Sequence, residues 1–218
     1  ILGPPFITLN TAEYNEPHLR ELLAFEYFCR EKLWERHYVS GLLSPQFTRK
    51  TGISPNEAEL FIRERPKHDI YLFHPYPREL RIQNHFLELA ELEHQGISDA
   101  IQYVWRTVLG RNRPILDLPS KQHFCCHCNY IAATPRFWSK YSLFVISFME
   151  LLRSEEGAFL RKSAPYTLTR TKDTELPIAV FVFERALSHF LCEGFRIWNI
   201  ANYAYIKRGY LPPELFAG

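Results

Sequence analysis

With 218 residues, 46% of them hydrophobic and 15% aromatic, the chain carries enough apolar material for one large folded domain, and disorder is excluded. Its 26 Lys and Arg against 24 Asp and Glu leave a net charge of +2 with no long basic run, which argues against a nucleic-acid partner. No stretch approaches the roughly 18–20 apolar residues of a membrane span.

In chain order, Phe6-Ile7-Thr8-Leu9 is a short β-prone run ended by Asn10-Thr11. Over residues 17–35 the apolar positions Leu19, Leu22, Leu23, Phe25, Phe28 and Leu33 recur at helical spacing, with Glu21, Glu26, Arg30 and Glu31 between them. Residues 38–43 read as an extended segment. Ser54-Pro55-Asn56-Glu57 has the composition of a capped helix start, and Pro66 limits that helix to about Glu64. Asp69-Ile70-Tyr71-Leu72-Phe73 is the clearest buried strand. Helical patterning returns over residues 83–93 and 101–109, and residues 129–132 read as a strand. Thr134-Pro135 opens a long helix through Leu152, and residues 177–191 form a Phe-rich one. Strands alternating with helices imply an α/β fold.

Cys125, Cys126 and Cys128 crowd together in a chain of five cysteines. An odd, clustered set suits reduced thiols in a cytosolic protein better than a disulfide scaffold. Nor does the start of the chain, broken by Pro4 and Pro5, read as a signal peptide. The run from His123 to Cys128 holds zinc-type ligands, but all in one six-residue patch with no second cluster, so buried small hydrophobes fit it better. No metal ligand is assigned.

Other motifs carry chemistry. His74, with Tyr76 close behind, lies at the carboxyl end of the 69–73 strand, the edge where open α/β sheets bind ligands; equally, His74 can simply end the strand. The loop from Ser44 to Gly52 offers hydroxyls, Arg49 and Lys50 to a phosphate, or it is a solvated surface loop. Glu184 and Arg185 interrupt an otherwise apolar helix; a carboxylate there is either paired with its arginine or a general base. Glu91 and His94 share a face of a charged helix that reads as an outer surface. A Gly-x-Ser-x-Gly elbow and a Gly-x-Gly-x-x-Gly loop are both absent, which argues against serine hydrolases and dinucleotide-binding dehydrogenases.

Residues 38–52, 69–75, 128–138 and 182–187 together resemble bacterial proteins associated with surface-polysaccharide synthesis. The resemblance implies a glycosyltransferase-like domain of the GT-A type spanning residues 1–218: one compact three-layer α/β domain with a mostly parallel central sheet. It also implies a nucleotide-sugar donor and a glycan or lipid-linked glycan acceptor. Glu184 corresponds to the base, Thr8 and Asn10 to nucleotide contacts, Lys50 and His74 to diphosphate contacts, Asn129 to the acceptor side, and Arg185 to a further substrate contact. His74-Pro75 stands where such enzymes carry a metal-binding Asp-x-Asp, so no cofactor is assigned. The expected location is the cytoplasm, at or near the inner membrane. A non-catalytic glycan-binding domain in a polysaccharide assembly complex is the alternative.

Overall fold

A computed structural model describes residues 16, 19, 21–73, 87–117, 128–164, 176–191 and 194–199. Helices account for most of them: α1 (Glu21–Arg30), α2 (Phe47–Thr51), α3 (Pro55–Glu64), α4 (Glu88–Glu93), α5 (Ile97–Leu109), α6 (Pro135–Arg153) and α7 (Ile178–Leu191). Local chemistry sets several boundaries. Ser54 and Glu57 exchange hydrogen bonds in a capping box that starts α3, as the sequence predicts. Gly52 ends α2 at φ 70°, a left-handed conformation that a side chain would resist. Thr134 occupies the cap position of α6 but makes no side-chain cap hydrogen bond.

Four short strands form the main sheet, β1 (Ser40–Leu42), β2 (Ile70–Leu72), β3 (Ile131–Ala133) and β6 (Ile197–Asn199), in the order β1-β3-β2-β6. A separate antiparallel pair joins β4 (Ser163–Ala164) to β5 (Leu176–Pro177). The expected mostly parallel, GT-A-like central sheet is not what forms. β3 pairs antiparallel with both β1 and β2, the β2–β6 pair alone is parallel, and helix outweighs sheet throughout the described chain. The reason is an insertion. β1 and β2, joined through α2 and α3, do run in the same direction, but they leave a gap one strand wide. β3 enters that gap reversed, placing Ala132 between Gly41 and Tyr71. Alternation along the sequence fixes element types, and only long-range pairing fixes strand direction.

The sheet is buried on both faces. Ile70, Leu72, Ile131 and Ala133 join the larger core with α1, α5, α6 and α7. Tyr71, Phe73, Tyr130 and Ala132 face Phe47, Ile53 and Ala58 of the α2–α3 segment. In the larger core Phe25, Tyr141, Phe144, Phe148 and Phe183 form a continuous ring cluster. None of the described helices is long and apolar enough to cross a membrane.

Candidate functional site

Helix α7 is apolar on nearly every side and lies inside the molecule, as an all-round hydrophobic helix must. Phe183 and Phe190 enter the aromatic cluster. The face carrying Phe181 and Arg185 meets the end of α4: His94 stacks on Phe181 with ring centroids 3.6 Å apart, and Glu93 Oε2 lies 3.6 Å from Arg185 Nη2. Glu91 holds this end of α4 in place by accepting hydrogen bonds from the backbone N–H groups of Gly96 (2.7 Å) and Ser98 (2.9 Å) at the start of α5. His94 is therefore buried, not part of the outer charged face the sequence predicts.

Glu184 is half-buried, its side chain 22% exposed. Arg185 Nη1 stands 3.4 Å from its Oε2 and is itself shared with Glu93. Burial is the dominant influence on Glu184 and lifts its carboxyl to about 7; Arg185 and Lys50 pull it down, while Glu21 and Glu93 push it further up. Burial also raises the Glu93 carboxyl, with Arg185 offsetting part of that rise. The result is a carboxyl that exchanges its proton near neutrality.

Lys50 reaches the same region from the other side of the sheet. It sits on the five-residue helix α2, which is pinned by Phe47 against Phe73 and Tyr130, with ring centroids 5.3 and 5.5 Å away. Lys50 Nζ lies 3.7 Å from Cys128 Sγ and 5.8 Å from the centre of the Tyr130 ring. Burial pushes the Cys128 thiol up to about 12, and nearby Glu184 adds to the rise, so Lys50 meets a neutral thiol. Tyr130, also raised by burial to about 12, shares a 2.7 Å hydrogen bond with Ser44.

Between Cys128 and Tyr130, Asn129 occupies the centre of a tight turn closed by Tyr130 N–H donating to Cys128 O at 2.7 Å. The residue is 2% exposed, and among the described residues its Oδ1 accepts no hydrogen bond. Phe73 N–H donates to Tyr130 O, so this turn adjoins the carboxyl end of β2. Lys50, Asn129, Glu184 and Arg185 thus gather at one end of the sheet. Thr8, Asn10, His74 and Tyr76 lie outside the described residues, as do residues 123–127 of the Cys/His patch. Among the described residues no group of three or more metal-ligating side chains is placed to hold an ion.

Glu21 and Glu93 belong to this site without any sequence signal for it, and Cys128, which the sequence offers only as part of a Cys/His patch, joins them. Glu21 and Glu93 look like ordinary acids at helix ends, and only packing against α7 makes their charges felt at Glu184. Neither a family model, nor a curated protein, nor a solved structure matches this chain.

Proposed function

We propose that the chain is a glycosyltransferase that moves a sugar from a nucleotide-sugar donor to a hydroxyl of a glycan or lipid-linked glycan in bacterial surface-polysaccharide synthesis. The observation that carries the reading is the Glu184 carboxyl, lifted to about 7 by burial beside two cations, Arg185 and Lys50. A base of that strength suits removal of a hydroxyl proton at neutral pH. The choice of sugar chemistry rests on the four sequence segments that resemble polysaccharide-synthesis proteins, three of which bring residues to this site.

In the proposed reaction Glu184 takes the acceptor O–H proton as the oxygen bonds to the anomeric carbon. The bond from that carbon to the donor diphosphate breaks, and the electron pair leaves with the nucleoside diphosphate. Lys50 would offset the charge that accumulates there. A lipid-linked acceptor would bring the chain to the inner-membrane surface.

The test has two stages. Thermal shifts with UDP-, GDP-, CMP- and dTDP-sugars, with and without Mn²⁺, identify the donor, since a ligand of the folded state raises the melting midpoint. Glu184→Gln is then expected to keep that shift and to lose turnover by about 100-fold or more. Unchanged turnover in this variant removes the base assignment. Oligosaccharide binding without any donor binding favours the non-catalytic glycan-binding alternative.

A further inference from the structure

A second charged feature lies at the opposite end of the sheet from Glu184. Asp69, just before β2, is buried, and its Oδ2 accepts hydrogen bonds from Arg136 Nη1 (3.0 Å), Arg196 Nε (3.3 Å) and the Arg196 backbone N–H (2.9 Å). Both arginine side chains nevertheless stay outside, 60% and 62% exposed. Lys140 lies one turn along α6 from Arg136. Its Nζ and the Arg136 guanidinium carbon stand 5.5 and 5.6 Å from the centre of the same Phe195 ring. Two cations therefore meet a single carboxylate, and a third, Lys140, shares the Phe195 ring with one of them. A structural ion pair at Asp69 needs only one of them.

The helix register adds an apolar group to this patch. Arg136, Ser139, Lys140, Leu143, Ser147 and Glu150 fall at positions that share one face of α6, with Glu150 at the far end and 3.6 Å from Arg30 of α1. Leu143 projects from that face with 68% of its surface exposed, and no large hydrophobic side chain among the described residues is more exposed. An isolated exposed leucine means little. One standing one turn from Lys140 and two turns from Arg136 on the same helix has the composition of a membrane-contact surface, where cations meet headgroups and an apolar side chain enters the acyl boundary. Nucleic acid would use the cations and leave Leu143 idle.

We propose that this face of α6, with Arg196, docks the protein on an anionic lipid bilayer. The surface is remote from Glu184 and does not depend on the sugar-transfer reading. Co-sedimentation of the full chain with phosphatidylcholine vesicles, and with vesicles of phosphatidylcholine and phosphatidylglycerol in equal parts, provides the test. Retention is expected on the mixed vesicles only, and it should weaken as salt is raised. Lys140→Gln should weaken it about fivefold, the effect of one cation at a charged membrane surface. Leu143→Ser should weaken it by a similar factor through lost apolar contact. Both side chains are exposed, and circular dichroism melts equal to the parent's establish that both variants fold. Absent retention, equal retention on neutral vesicles, or Leu143→Ser behaving as the parent would each overturn the proposal; the last would reveal a purely electrostatic site for an acidic macromolecule.

Discussion

Glu184 has a guanidinium 3.4 Å away, and such a neighbour ordinarily keeps a carboxylate ionised. Here the arginine is divided between two acids, because Arg185 also faces Glu93 at 3.6 Å. Burial then outweighs what remains of its attraction. Glu93 consequently acts on Glu184 twice, by drawing on Arg185 and by contributing a negative charge of its own. Replacing Glu93 by Gln should lower the Glu184 carboxyl and move the acid limb of the pH–rate profile to lower pH. A fall in maximal turnover with no movement of that limb would assign Glu93 to packing alone. The Glu184–Arg185 pair was legible in the sequence because adjacent charges interrupt an apolar helix, a pattern that demands a partner or a purpose. Lys50 was legible as one of two cations in a hydroxyl-rich turn. Glu21 and Glu93 were not, since an acid at a helix end looks the same whether it faces water or a buried carboxyl.

Among the elements, β3 shows most clearly what a linear reading misses. Its residues read as a strand, and the capped helix α3 and the strand β2 also lie where composition predicts. The direction of β3 depends on which neighbours it meets, and those are 59 or more positions away in the chain. Gly41 records the closeness of this pairing. A Cβ built there would run into Ile131 O and the Ala132 Cα on β3, backbone atoms that cannot swing aside. Trp138 Nε1 of α6 also donates to Ser40 O at 2.9 Å, which ties β1 to the helix behind the sheet. Gly41→Ala should therefore cost stability at the upper end of the about 1–3 kcal/mol typical of overpacking. Urea unfolding reads this as a lower midpoint with an unchanged slope. A midpoint equal to the parent's would mean that β1 is loosely held against β3.

At the scale of the whole molecule, its buried and half-buried carboxyls fall into two sets with opposite effects on stability. Burial alone would raise Glu26, Asp69 and Glu91, but their donors win: Arg153 and Arg30 on Glu26, the Arg196 backbone and side chain with Arg136 on Asp69, and two backbone N–H groups on Glu91. Each is thus lowered from its ordinary value of 4.5, 3.8 and 4.5, respectively. Their stabilisation is complete above those values and is lost as pH falls through the lower, folded-state ones. These ties join distant parts of the chain: Arg153, from the end of α6, reaches Glu26 on α1 through Nη1 at 2.6 Å and Nη2 at 2.8 Å.

Glu184 works the other way. The unfolded chain releases this proton near 4.5 and the folded chain holds it to about 7, so stability is complete at low pH, declines between those values and stays reduced above. Ionising this carboxyl in the folded state costs on the order of 2–3 kcal/mol, with Glu93 contributing in the same direction. The two flanks meet near pH 5, where stability should peak. Glu184→Gln should remove most of the upper decline and leave the lower flank untouched. The variant should then match the parent near pH 4 and exceed it by about 2–3 kcal/mol at pH 8 in urea titrations. A constant difference across that range would mean that Glu184 ionises in the folded protein as it does in the unfolded one. The carboxyl would then have no reason to act as a base near neutrality. A difference that grows with pH would instead show the fold giving up stability to keep a proton acceptor buried beside Arg185.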